Sequence, residues 1–576
     1  MMLTFRTLSM LIMLGFALYG CGGGGSDSAS ETPAPPSAPP AGEQGDSGDE
    51  PTDEPPSTQN TPTAAARLLN QASFGATPED IDAVIDLGQE AWIDEQIDLA
   101  PSYHMPLVEP YADNEDFWRS YRISAWWHRA LYAPDQLRQR VAFALSEIMV
   151  VSEFNGVLAD DPEALTAYYD LLLEHAFGSY RELLEAVTLS PAMGVYLSML
   201  GNEKPDEERN IRPDENYARE VMQLFSIGLV ELNLDGTKKL DAEQQPIPSY
   251  DQTVIKGFAH VFTGWHFSGT TAQTWYRWWE NFNLFDPMDA VDEYHDSNEK
   301  QLFSGVILPA NQTAEQDLAL ALDALASHSN VAPFISKQLI QKLVTSNPSP
   351  AYVERIATIF LDNGSGEQGD LAAVVKAILL DGEAQAGHVN APTTFGKVRE
   401  PIIRAAHMWR AFNLTYAGER IDFGWPEYFF GQAPLASPSV FNFYRPDYSP
   451  ITLESETGLL APELQIATDS TMTNTVNFFA WYGLWRTFSG DPSDADITED
   501  DDMFIDITEE VTLVEQDGSE ALLEHLNLVL TAGALNDEAI DLLVDAYEAN
   551  EYAEPEKRIA NLIFLIMSSP QYAIQR

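Results

Sequence analysis

Apolar residues recur at three- and four-residue spacing through most of the chain beyond residue 64, which is the stripe of a helix that buries one face. The pattern is plain at Ile81, Val84, Ile85, Trp92 and Ile93, behind the opening Thr77-Pro78-Glu79-Asp80. That opening offers a Thr to cap the first amides, a Pro in the first turn and acids facing the positive end of the helix dipole. Similar stripes predict helices over 124–151, 163–177, 180–189, 216–227, 317–327, 333–345, 350–361, 371–380 and 401–412. The C-terminal part adds 521–532, 537–549 and 555–567. Strand signals are few, and the best is 229–234 and 237–240 around Asp235-Gly236, a dipeptide suited to a tight hairpin turn. An apolar helix ends at Ser190-Pro191 and another at Ser569-Pro570, an echo too sparse for a repeat array. The expectation is a mostly α, multi-helix globular domain over 64–576, with a small β-hairpin element and long loops.

Two stretches break this pattern. The apolar run 8–20 follows Arg6 and is too short to span a bilayer, so it reads as a secretory signal. It ends in Leu18-Tyr19-Gly20-Cys21, which resembles the lipobox of bacterial lipoproteins, with Tyr19 bulkier than is usual there. This predicts a signal peptide over 1–20 and lipidation of Cys21, the sole cysteine of the chain. Gly22 in place of Asp resembles lipoproteins sorted to the outer membrane. From Gly22 to about Pro62 the chain is Gly, Ser, Pro, Asp and Glu, a composition that cannot repay the entropy of folding. Residues 21–63 are therefore expected to be a lipidated, disordered tether. The second stretch, about 489–520, carries thirteen acids and no base within 491–520, and reads as a surface insertion.

Charge narrows the function classes. With 31 Lys+Arg against 89 Asp+Glu, the net charge of −58 repels nucleic acid and anionic headgroups, so lipid attachment must hold the protein at a membrane. The acidity suits a solvated surface in salty surroundings, with divalent-cation capture as the functional alternative.

Chemical motifs are weaker signals than the address. Gly364-Ser365-Gly366-Glu367-Gln368-Gly369 spells a dinucleotide loop, but a helix, not a strand, precedes it and Asp362, Glu367 and Asp370 would repel a pyrophosphate. Left-handed glycines ending one helix, with Asp370 capping the next, is the simpler reading. Ser297-Asn298-Glu299-Lys300 is a loose Ser-x-x-Lys match. Two constellations carry more. In 212–227, helical spacing puts Asn216, Glu220 and Gln223 on one face and pairs Glu215 with Arg219, beside a buried face of Tyr217, Val221, Leu224 and Phe225. That polar stripe could position a metal or substrate, or fix helix packing. His295-Asp296 with Lys300 could serve as ligand or general-base pair with an anion holder, close in sequence to Trp265-His266 and a loop holding Trp275, Trp278 and Trp279.

Taken together, these segments resemble the bacterial family catalogued as domain of unknown function 1800. The resemblance rests on 66–75 (ARLLNQASFG), 140–152 (RVAFALSEIMVVS), 216–228 (NYAREVMQLFSIG), 232–237 (LNLDGT), 262–265 (FTGW) and His295-Asp296 with Lys300. Later it includes 362–371, 397–401 (KVREP) and 438–446 (PSVFNFYRP), in family order across the folded chain. The resemblance implies an exported protein whose gene neighbours include a companion family similar to sulfatases and alkaline phosphatases. Where family members often have Arg before Asp370, this chain has Glu367-Gln368.

The leading expectation is a lipid-anchored cell-envelope protein, at the outer membrane, acting as accessory or scaffold for an exported sulfatase- or phosphatase-like partner. The first alternative is a metal-assisted hydrolase of an extracellular polysaccharide or ester. It would hold one divalent metal at His295 and Asp296 and draw its catalytic groups from Glu215, Asn216, Arg219, Glu220, Lys300, Arg399 and Glu400. That alternative requires the named side chains to meet in one concave pocket. The second alternative is carbohydrate binding by Trp275, Trp278 and Trp279, which requires the three rings exposed in a row.

Overall fold

One helix is buried on every side: all eleven residues of Gln136–Ser146 are buried, charged Arg138 and Arg140 among them. The computed structural model describes residues 60–112, 119–303, 305–416, 418, 420–421, 423–481, 503–549 and 553–576. Cys21, residues 22–59 of the expected tether and residues 489–502 lie outside the described residues, and the tether ends earlier than expected, because Thr61 caps the helix Pro62–Ala72. The architecture is mostly helical, with two-stranded antiparallel pairs of two-residue strands as the only sheets among the described residues. A continuous apolar core runs from Ala65 to Tyr572. It is centred on interlocked rings such as Trp127 edge-on to Trp409 at 4.9 Å.

The predicted helices appear with shifted ends that local chemistry explains. Thr77 accepts a hydrogen bond from the Asp80 amide at 3.1 Å and starts Pro78–Leu87, but Gly88 (φ 85°) stops it and a separate helix, Gln89–Asp98, carries Trp92 and Ile93 inward. The single helix expected over 124–151 is two, Arg119–Tyr132 and Gln136–Ser146. Pro134 disfavours the helical conformation of Ala133 and cannot donate to the ladder, so the chain turns there. The expected hairpin forms its turn at Asp235-Gly236, with the Asn233 amide on the Thr237 carbonyl at 2.8 Å. Pairing beyond it is limited to isolated bridges such as Leu232 with Lys238. Gly364, Gly366 and Gly369 all take left-handed φ, and Asp370 caps Leu371–Leu380 by accepting from the Ala373 amide at 3.1 Å.

Within the acidic stretch, residues 503–520 join the fold. Met503–Phe504 pairs with Thr415–Tyr416, Met503, Ile505 and Ile507 are buried, and Thr508–Asp517 packs on Ser519–Thr531. Among the described residues no single helix is long and apolar enough to cross a membrane.

Three helices and a short strand place a pair of acids deep in the core. Gln136–Ser146 terminates at Glu147, and Pro401–Ala411, buried along most of its length, begins at Glu400. Val331–Leu343 runs past both ends and turns Phe334, Lys337, Gln338, Gln341 and Lys342 toward one side, the spacing of a single helix face. The strand Lys397–Val398, held by Ile574–Gln575, sets the approach to Glu400.

Candidate active site

The sequence-predicted residues separate into distinct networks. His295 is buried, with Nε2 2.9 Å from Asp317 Oδ2 and Nδ1 2.8 Å from the Thr263 carbonyl. Lys300 reaches the same Asp317 oxygen at 2.5 Å and donates to the carbonyls of Asp296 and Asn298. Asp296 is bound to His260 Nδ1 and accepts from the Asn298 amide at 3.0 Å. Burial alone would raise Asp296, but the His260 and Asn298 hydrogen bonds and the charges of His260 and Lys300 outweigh it and hold the carboxyl well below the usual range. The expected metal ligands thus spend their side chains on protein partners. Among the described residues, no group of three or more His, Cys, Asp or Glu side chains is arranged to hold a metal ion.

In the second constellation Glu215 and Arg219 pair as spacing predicts, near the surface. Arg219 meets Glu215 at 3.1 Å, Gln252 donates to both Glu215 oxygens at 2.9 Å, and Asn216 is exposed at the start of Asn216–Gln223. Glu220 points inward, where Oε2 has no hydrogen-bond partner among the described residues and burial raises its carboxyl, with Arg219 partly opposing. Neither Glu215 nor Glu220 shares a hydrogen-bond partner with His295 or Asp296, so the convergence required of a metal site is not met. The aromatic loop also divides. Trp275 is 3% exposed, stacked on Tyr294 at 4.1 Å, whereas Trp278 and Trp279 are 52% and 60% exposed and stand at 80° to each other. Trp275, Trp278 and Trp279 therefore do not form a row of exposed rings.

Arg399 and Glu400, adjacent in sequence, part company: Arg399 lines a cavity, whereas Glu400 lines none. Glu400 is fully buried and belongs to a cluster that spacing did not predict, in which Glu147, Glu400 and Glu463 meet Arg140, Lys342 and Lys397. Lys342 Nζ lies 3.0 Å from Glu147 Oε2, and Lys397 Nζ 3.1 Å from Glu463 Oε1 and 3.9 Å from Glu400 Oε1. Gln432 Nε2 bridges the two carboxylates, 3.2 Å from Glu147 Oε1 and 2.5 Å from Glu400 Oε2. Asn442, left-handed at φ 64° as Asn tolerates, donates to Glu147 Oε1 at 3.2 Å, and Tyr444 donates to Glu147 Oε2 at 3.4 Å. Arg140 and Lys397 both donate to the Lys342 carbonyl, at 2.6 and 2.8 Å.

Glu147 and Lys342 of this cluster line a cavity of about 450 Å³. Its lining joins apolar Leu224, Leu229, Phe334 and Val440 to charged Lys238, Lys337, Arg445 and Asp447, with Glu147, Lys342, Asn442 and Tyr444 from the cluster. Glu400 lies behind them. Burial pushes the Glu147 carboxyl up to about 7, helped by the charge of Glu400 and opposed by Lys342. Burial would raise Glu400 too, but Lys397, Lys342 and Arg140, with the Gln432 hydrogen bond, hold it below the usual range. Helix ends act in the same sense: Glu147 sits at the negative end of one helix and Glu400 at the positive end of another. A carboxyl pushed up toward neutrality, lining a cavity beside an ammonium, can exchange a proton with a bound molecule.

The available sequence signal was a lone acid, Glu147, inside the apolar run Phe143–Val151, and Lys397 three residues before Glu400. Neither spacing says that the two segments meet, since Glu147 and Glu400 lie 253 positions apart. The stretches 140–152, 397–401 and 438–446 nonetheless all contribute to this one cluster. The chain belongs to the DUF1800 family, a protein family of unknown function, whose model matches residues 67–574. No match was found among curated proteins or among solved structures.

Proposed function

We propose that this DUF1800 protein is an acid–base enzyme whose proton-transferring group is Glu147, acting on a molecule that enters the cavity above Lys342. The observation that carries the reading is the placement of buried Glu147 in the lining of that cavity, 3.0 Å from Lys342 and bridged through Gln432 to Glu400, where burial first, and then the charge of Glu400, push its carboxyl up to about 7. Hydrolysis of a glycoside or an ester is the reaction class this arrangement suits. Protonated Glu147 gives its proton to the leaving oxygen, Lys342 holds negative charge that develops beside it, and Glu147 takes back a proton from the attacking water. Protons balance over the cycle, and Glu400 acts through Glu147 as a positioning residue. Relative to the metal-assisted alternative, the groups change from His295, Asp296 and Arg219 to Glu147 and Lys342.

The test is activity toward chromogenic glycosides and esters in wild type and Glu147→Gln, with the protonated carboxyl followed by infrared difference spectroscopy. The reading expects hydrolysis with a limb near pH 7, and a carboxyl band that titrates there and is lost in E147Q. A Glu147 that ionises in the ordinary carboxylate range would sink it.

A second reading, the accessory protein docked on an exported partner, is favoured by a different observation. Tyr276, Trp278, Trp279, Phe282 and Phe285 are all exposed within one loop, an apolar patch of the kind that partners cover. Under either reading Cys21 is the lipid anchor at the cell envelope. Metabolic labelling with palmitate should mark the wild-type chain and not Cys21→Ser, and equal labelling of both would remove the anchor.

A further inference from the structure

Arg399 leaves the Glu147 cluster and points into a separate cavity of about 190 Å³, which it lines with Arg67, Asn70, His388, Gln571 and Arg576 among others. This cavity shares no lining residue with the one above Glu147. Arg399 is 3% exposed, and a guanidinium so deeply placed ordinarily has a carboxylate beside it, because an uncompensated buried charge is costly. Among the described residues no carboxylate pairs with it. The hydrogen bond that Arg399 makes through a side chain runs from its Nη2 to His407 Nδ1 at 2.7 Å. His407 Nε2 lies 3.1 Å from the Val529 carbonyl and donates to it, so Nδ1 is the acceptor and the ring is neutral. Burial and the Arg399 charge together keep that imidazole well below its usual range. The Tyr572 ring lies 5.0 Å from the guanidinium and offers only a partial, quadrupolar compensation. Arg399 Nε is buried without a partner among the described residues.

Arg67 enters the same cavity from the helix Pro62–Ala72, half-buried and with neither an ion pair nor a hydrogen bond of its side chain among the described residues. Among those residues no Asp or Glu side chain lines the cavity. In a chain with 89 acidic residues against 31 basic ones, two guanidinium groups without a carboxylate partner around one small cavity are not a consequence of scarce carboxylates. They are what an anion with several oxygens would find: planar forks with free N–H groups in a site largely withdrawn from water.

We propose that this cavity is an oxyanion site, taking a phosphate or sulfate group between Arg67 and Arg399. The volume admits a tetrahedral oxyanion with room to spare. A neighbouring cleft of about 470 Å³ shares Arg67 and His388 and is lined by Leu68, Leu379 and Val389, so the oxyanion is either a free ion or the head of a molecule with an apolar body.

The test is calorimetric titration of the full chain at fixed ionic strength, set with chloride, using inorganic phosphate, inorganic sulfate and octyl phosphate. One site per chain is expected, with at least a tenfold weaker affinity in Arg67→Gln, a substitution at a half-buried position whose folding is checked by thermal melting. Arg399→Lys keeps the charge and loses the fork, and should weaken binding as well. Octyl phosphate binding more tightly than inorganic phosphate would assign the oxyanion to an amphipathic molecule, and equal affinities would assign it to the free ion. Absence of binding above the chloride control, or binding unchanged in R67Q, would overturn the site.

Discussion

Glu147 and Glu400 hydrogen-bond to the same Gln432 amide, yet their surroundings push their proton affinities apart. Glu147 is attached where carbonyls of a finished helix point, Glu400 where amides of a new helix point, and Lys397 stands on the Glu400 side. The consequence for stability has opposite signs at the two residues. A carboxyl raised on folding, as at Glu147, stabilises the native state below its unfolded value, and that contribution is lost as pH rises through about 7. A carboxyl lowered on folding, as at Glu400, contributes above its unfolded value and loses that contribution as pH falls through its folded one. Glu147→Gln, neutral at every pH, should therefore flatten the decline in stability between weakly acidic and neutral pH. Denaturant melts at a series of pH values would show this, and an unchanged slope would exclude Glu147 as its source. Asp317→Asn belongs to a different case. It would leave Lys300 buried without its carboxylate and cost about 3–5 kcal/mol, the usual penalty for breaking a buried pair from one side. Wild-type affinity for any ligand of the Glu147 cavity should survive that substitution in the folded fraction.

At the level of elements, local chemistry was readable and long-range meeting was not. Thr77, Asp370 and the glycines at 364–369 each act through atoms within a few residues of themselves, so sequence spacing was sufficient to place them. The Glu215–Arg219 pair was legible for the same reason. The division at Pro134 was written in the sequence but masked by the strong apolar stripe on either side of it. The Glu147 cluster was not legible, because Gln136–Ser146, Val331–Leu343 and Pro401–Ala411 meet only through the packing of the whole core. Close packing also shows where elements have no slack. A Cβ on Gly257, inside the helix Gln252–Val261, would stand 1.9 Å from the Gln301 carbonyl oxygen, which belongs to the strand pair formed by Lys300–Gln301 and Ile307–Leu308. Backbone cannot swing aside as a side chain can, so Gly257→Ala must displace the strand or the helix. The expected cost is about 1–3 kcal/mol or more, despite Ala being the better helix former. A midpoint of chemical unfolding equal to that of wild type would contradict this contact.

For the whole molecule, the distribution of charge matters more than its sum. Among the described residues eight Lys and Arg and nine Asp and Glu are buried, so their interior is close to neutral and their acidic excess lies at partly or fully exposed positions. The buried clusters around Glu147 and Asp317 are thereby insulated from the −58 net charge, and added salt screens them far less than it screens the surface. Surface repulsion opposes compaction, and its range contracts from about 30 Å at 0.01 M salt to about 10 Å at 0.1 M. The melting temperature should therefore rise as sodium chloride is added from low ionic strength, with most of the gain complete by a few tenths molar. Chloride acts on this repulsion alone, whereas phosphate or sulfate at equal ionic strength acts on the repulsion and on the Arg67–Arg399 cavity together. The two contributions can be separated in one set of melts: R67Q should keep the chloride response and lose the excess given by phosphate. A melting temperature indifferent to chloride would mean that the acids lie too far apart to oppose folding, and the repulsion argument would fail while the oxyanion site kept its own test.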